Sequence, residues 1–171
     1  MKHNTQYVTQ AAIIAALYAV LTHLQNLLLP GSASWAIQMR LSEALTALAF
    51  FTPAAAPGLA IGCLVFNISY AAALPLDFLV GTLATYLAAQ CMWLTRKVTV
   101  RGLPVIGLAM PALSNALLVG WELTAYIGEL SFAVNALSVA LGELAVVLVP
   151  GTMLYHALCS RGLARQLFGK C

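Results

Sequence analysis

Residues 5–28 read TQYVTQAAIIAALYAVLTHLQNLL, without one Lys, Arg, Asp or Glu. A helix needs about 20 predominantly apolar residues to span a bilayer, and this stretch supplies them before Pro30-Gly31-Ser32 stops it. It runs well past the length of a signal-peptide core, and no polar mature domain follows. By the same ruler five further segments qualify, at about 36–51, 58–73, 77–95, 103–127 and 132–159. The second and third of the six are short, so they are expected to tilt or to be broken. The expectation is an all-α integral membrane bundle of six transmembrane helices, with 1–171 forming one domain.

Composition points the same way. Of 171 residues, 62% are hydrophobic and 8% charged, against about 25% charged in a typical soluble domain, which argues against a water-soluble fold. The net charge of +3 does not mark a nucleic-acid partner, because no basic stripe carries interleaved aromatics. Cys63, Cys91, Cys159 and Cys171 form no Cys-x-x-Cys pair and no zinc spacing, so they read as small apolar residues and a free terminal thiol.

The charges are segregated. Lys2, Arg96, Lys97, Arg101, Arg161, Arg165 and Lys170 fall in the termini and the even-numbered connections, and the odd-numbered connections hold no Lys or Arg. Basic residues mark the cytoplasmic face, which places both termini in the cytoplasm. Arg40 alone breaks the pattern. The acids Glu43, Asp77, Glu122, Glu129 and Glu143 lie in or beside apolar segments, where a carboxylate is costly and usually marks a ligand or ion site.

On this topology the polar residues gather toward the outer face. His23, Gln25 and Asn26 end the first helix, and Gln38, Arg40 and Glu43 begin the second. Asn67, Ser69 and Tyr70 end the third, Asp77 begins the fourth, and Trp121, Glu122 and Tyr126 end the fifth. Asn135, Ser138 and Glu143 occupy the outer half of the sixth. A channel strings polar groups through the whole thickness, whereas a cup open to the outside needs them in one half only.

Three constellations stand out. Ala11, Ala15 and Ala19, widened by Ala12 and Ala16, line a smooth helical strip, since residues four apart share a face. Such strips serve packing within a bundle or docking of another membrane subunit. Gln38-x-Arg40-x-Ser42-Glu43 sets a cation and an acid three residues apart, where they can pair on one helix face. Glu122 and Glu143 have no basic neighbour within a turn; protonation or a donor-rich ligand supplies the partner. Asn67, Asn115 and Asn135 add amides that donate and accept. Trp35, Tyr70, Trp121 and Tyr126 offer rings that serve as an interfacial belt or as stacking faces. The chain has no phosphate loop, no His-Glu-x-x-His and no nucleophile triad, which disfavours an enzyme and ATP hydrolysis by the chain itself. A self-sufficient carrier or channel is the rival; no inverted repeat supports it.

The Ala-rich first helix, Gln38-x-Arg40-x-Ser42-Glu43, Gly62-Cys63 with Asn67, Asp77 with Gly81 and Thr82, Glu122-Leu123 and Gly142-Glu143 together resemble the QueT family, over nearly the whole chain. Members of that family are substrate-binding S components of energy-coupling factor (ECF) transporters. The resemblance implies a plasma-membrane subunit that captures a queuosine precursor, a 7-deazaguanine base such as 7-aminomethyl-7-deazaguanine, from outside. It further implies docking through the first helix, at Ala11, Ala12, Ala15, Ala16 and Ala19, onto a coupling transmembrane subunit that carries two ATPase subunits. No cofactor is implied. The residues suit that cargo. A guanine-like edge offers adjacent N–H donors to a carboxylate, an aminomethyl group wants a second carboxylate, and the ring wants an aromatic face. Glu143 and Glu122 are expected at the edge and the amine. Asn67, Asn115 or Asn135 is expected at the carbonyl, Trp121 or Tyr70 at the ring, Arg40 with Glu43 in the supporting wall, and Gln38 among the substrate-binding residues.

Overall fold

A computed structural model of the chain describes residues 2–32, 39–70, 75–126, 128, 130–160 and 162–168. Among them the regular structure is helical, apart from an isolated bridge between Val100 and Leu103. In order, the elements are α1 (Lys2–Leu28), a 3₁₀ helix (Leu41–Phe50), α2 (Ala55–Ser69), α3 (Asp77–Thr95), α4 (Val105–Tyr126) and α5 (Phe132–Val146). A π turn (Val147–Gly151), α6 (Thr152–Ser160) and the short α7 (Leu163–Phe168) complete the chain.

Four helical stretches are long and apolar enough to cross a membrane: Asn4–Leu28, Asp77–Thr95, Val105–Tyr126 and Phe132–Ser160. The 3₁₀ helix and α2 are shorter. Ten residues of 3₁₀ helix rise about 20 Å and fifteen of α-helix about 22 Å, both less than the ~30 Å hydrocarbon layer. Large apolar side chains cover the outside, among them Leu27 at 77%, Leu94 at 74% and Ile68 at 68% exposed. So much apolar surface is incompatible with water and suits lipid. The protein is a membrane protein.

Several boundaries differ from expectation for reasons of proline chemistry. α2 begins at Ala55, ahead of Pro57, because a proline in the first turn lacks only an N–H that has no intrahelical partner anyway. The last long helix is interrupted: Pro150 lies in the π turn, where a wider loop accommodates the ring and the missing donor. α7 was not anticipated. It lies at the end opposite the 3₁₀ start, where Phe51 stacks on Tyr155 at 5.4 Å and on Phe168 at 6.2 Å. Gln10 ties this end together, accepting from Thr52 Oγ1 at 2.8 Å and donating to the Leu167 carbonyl at 3.1 Å.

The 3₁₀ helix is the axis of the bundle. It packs against α1 through α6 and the π turn, and of its residues only Leu41 is exposed and Leu45 half-buried. In a 3₁₀ helix residues i and i+3 eclipse. Ala44 above Ala47 keeps one such column thin.

α1 and α2 approach to backbone contact. A Cβ added at Gly58 would stand 2.7 Å from the carbonyl oxygen of Ala11, and one at Gly62 would stand 2.7 Å from that of Ala15. The alanine strip is thereby divided. Ala11 and Ala15 are buried against α2, Ala19 is half-buried, and only Ala12 and Ala16 face outward. Gly62→Leu is expected to lower the thermal unfolding midpoint in detergent, at the ~1–3 kcal/mol typical of overpacking, whereas Ala16→Leu leaves it unmoved. Equal midpoints for the two variants would refute this close packing.

Candidate functional site

The polar residues meet at the end where α1 stops and the 3₁₀ helix starts. α1 contributes a buried stripe, Tyr18, Thr22 and Gln25, spaced to share one helix face. Thr22 Oγ1 donates to the Tyr18 carbonyl at 2.8 Å and makes a hydroxyl–hydroxyl hydrogen bond with Ser42 Oγ at 2.7 Å. Gln25 accepts the Leu41 N–H at 2.7 Å and donates to Ser32 Oγ at 2.9 Å and to the Met39 carbonyl. A helix start buried without partners is costly, and Gln25 provides what no N-cap side chain does here, since Arg40 makes no side-chain cap.

Arg40 and Glu43 do not form the helical i, i+3 pair expected of them. Arg40 has extended backbone, φ −82 and ψ 103, so its side chain leaves toward α2. Its Nη1 donates to Cys63 Sγ at 3.6 Å, and its guanidinium carbon lies 5.8 Å from the centre of the Phe66 ring. Glu43 instead accepts the Tyr18 hydroxyl and, at 3.2 Å, the Thr85 hydroxyl, both on Oε1. Gly81 of α3 gives Arg40 and Asn67 room: a Cβ there would lie 3.0 Å from Asn67 Nδ2 and 3.7 Å from Arg40 Nη1.

Asn67 Nδ2 donates to the Asp77 carbonyl at 2.7 Å and to Cys63 Sγ at 3.5 Å, joining the end of α2 to the start of α3. Glu122 of α4 is fully buried beside Asp77 and within the field of Arg40. Glu143 of α5 is 2% exposed and lies in the fields of Glu43 and Arg40. The two glutamates thus converge on one interior cluster, from helices packed side by side. Among the described residues, several of these buried groups have no hydrogen-bond partner. They are Glu43 Oε2, Glu143 Oε2, both oxygens of Glu122, Asn67 Oδ1, Asn115 Nδ2 and Thr82 Oγ1. Five are acceptors that want donors; Asn115 Nδ2 is a donor, and Thr82 carries a hydroxyl able to do either.

Other expected site residues lie elsewhere or have structural work. Trp121 is 53% exposed: consecutive helical positions point about 100° apart, so burying Glu122 turns Trp121 outward among the lipid-facing side chains. Asn135 Nδ2 donates to Thr124 Oγ1 at 2.9 Å and to the Leu130 carbonyl at 3.4 Å, which fastens α4 to α5. Tyr70 is half-buried and stacks on Phe66 at 5.3 Å. Gln38 lies outside the described residues. Tyr18, Thr85 and Cys63 were not expected in the site. The i, i+4, i+7 spacing of Tyr18, Thr22 and Gln25 was the available signal; nothing local in the sequence singles out Thr85.

Residues 8–160 match a protein family described as QueT transporter. The chain belongs to the QueT transporter family. No curated protein and no solved structure matches it. The match takes in every residue of the polar cluster, from Tyr18 of α1 to Glu143 of α5, and stops short of α7. In this QueT family member the described residues place no group of three or more His, Cys, Asp or Glu to hold a metal ion. The cluster offers hydrogen-bonding groups and charge. Replacing Gln25 with Leu is expected to speed amide hydrogen exchange across residues 39–43 by removing the clasp on Leu41. Unchanged exchange there would mean that Gln25 does not hold the 3₁₀ start.

Proposed function

We propose that the chain is the substrate-binding S component of an ECF transporter and captures a queuosine precursor, a 7-deazaguanine base, from outside the cell. It spans the plasma membrane six times with both termini in the cytoplasm, and it has no enzymatic step of its own. One observation carries this reading: Glu122, Glu143 and Glu43 converge in the interior with carboxylate oxygens lacking partners among the described residues. Burying an uncompensated carboxylate is unfavourable, and a ligand edge rich in N–H donors relieves that cost. Glu122, beside Asp77, suits the parallel amide and amine donors of a guanine-like edge. Glu143 suits an exocyclic amine, Asn115 Nδ2 suits the ring carbonyl, and Asn67 Oδ1 accepts a further donor. Arg40 offsets part of the negative charge.

The opposite end favours capture over a through-going path. Phe50, Phe51, Leu59, Met92 and Leu108 lie in a continuous buried apolar cluster there, so the polar groups do not run the length of the bundle. On the outside of α1, Ile13 and Leu17 border Ala12 and Ala16 and line an apolar groove whose far wall is Leu167 and Phe168. This supports docking of a coupling transmembrane subunit, itself carrying two ATPase subunits, on that side.

Native mass spectrometry of the purified protein should find a retained small molecule with the mass of a deazaguanine base. Glu122→Gln is expected to weaken binding of 7-aminomethyl-7-deazaguanine by roughly 1–3 kcal/mol, the cost of mismatching a buried hydrogen-bonding group. Wild-type affinity in that variant would remove Glu122 from the site. For docking, Ala16→Trp is the informative change because Ala15 is committed to α2. It should abolish uptake by the assembled transporter while the isolated subunit still binds ligand; retained uptake would place the partner elsewhere.

A further inference from the structure

Two residues that no motif singles out converge on one carboxylate. Glu43, 1% exposed, accepts two hydroxyl donors on Oε1, from Tyr18 of α1 and from Thr85 of α3. Its Oε2 is buried without a hydrogen-bond partner among the described residues. A carboxylate that accepts two donors on one oxygen cannot rotate without breaking both, so its second oxygen has a fixed direction.

Both donors are themselves rigid. Tyr18 is fully buried, and its Cβ occupies the space beside Gly62, where an added Cβ would come within 2.7 Å. Thr85 is 1% exposed on α3, and a β-branched side chain has few rotamers in a helix. Preorganisation of this kind, with a contacting group held by packed neighbours on rigid elements, is what a binding site requires of its supporting residues. The direction matters because Arg40 and Glu143 share the field around Glu43.

Resting on the capture reading above, we infer that Tyr18 and Thr85 are positioning residues of the ligand site: they hold Oε1 of Glu43 so that Oε2 accepts a ligand N–H. Glu43 is then a direct ligand contact rather than part of a supporting wall. Because Tyr18 sits on α1, the contact also links the ligand to the helix whose other side presents Ala12 and Ala16.

The test is a double-mutant cycle on the affinity of the full chain, in detergent, for 7-aminomethyl-7-deazaguanine. Tyr18→Phe should weaken binding about tenfold, the scale of a hydrogen bond to a charged group, and should have no further effect once Glu43→Gln is present. Thr85→Val should lose affinity while Thr85→Ser, which keeps the hydroxyl, retains it. A purely structural role would make the Tyr18 and Glu43 losses multiply, and that result overturns the inference. So does wild-type affinity in both Tyr18→Phe and Thr85→Val. Should Tyr18→Phe fail to fold, the Thr85 pair decides alone. Wild-type protein that does not bind the probe overturns the capture reading and this inference with it, whereas binding that ignores Tyr18 and Thr85 overturns only the latter.

Discussion

A polar group buried away from water must find its partner inside the protein, and the start of the 3₁₀ helix is where this constraint is most demanding. Ser42 and Glu43 lie there with almost no exposure, directly after Arg40. Nothing in the segment itself can satisfy them. The partners come from α1, through Tyr18, Thr22 and Gln25, and from α3, through Thr85. The placement of the 3₁₀ helix at the centre of the bundle and the polar stripe on α1 are therefore two sides of one requirement.

That requirement separates the two ends of the molecule. At one end polar side chains from six elements gather, and a subset keeps hydrogen-bonding capacity beyond what the described residues use. At the other, aromatic and aliphatic groups interlock around Tyr155 and Phe51. The same short helix joins them: polar where it begins, it reaches Ala47, Leu48, Ala49 and Phe50 within two turns. A narrow element made of small residues can thread a bundle that already holds five longer helical stretches, which an ordinary α-helix with bulky side chains could not do without spreading its neighbours.

Close backbone approach fixes the rest. Gly58 and Gly62 bring α2 against the carbonyls of Ala11 and Ala15, and a Cβ added at Gly120 of α4 would stand 2.9 Å from the Cα of Ala136 in α5. Small residues allow this in lipid, where dispersion between closely packed helices replaces the hydrophobic effect as the driving force. The consequence for function is a division of the alanine strip. One side is consumed by internal packing and the other remains outward, beside the apolar groove that α7 closes.

Much of this was legible in residue order. Hydropathy alone located the long apolar helices but not α7, because apolar length and the absence of charge are local properties. The acids at Glu43, Glu122 and Glu143 announced themselves for the same reason: charge inside an apolar run needs no neighbours to be noticed. The outward face of Trp121 and the bond from Asn135 to Thr124 depend on which way a helix is turned, and the packing of α4 on α5 settles that. The 3₁₀ geometry, the extended backbone of Arg40 and the meeting of Tyr18 with Thr85 on one carboxylate were invisible, since each depends on residues far apart in the chain. Sequence by itself thus determined that this is a helical membrane protein with buried acids, because those facts follow from composition along a segment. Tertiary structure decided which faces meet, and therefore which polar atoms are satisfied by the protein and which are left for a ligand.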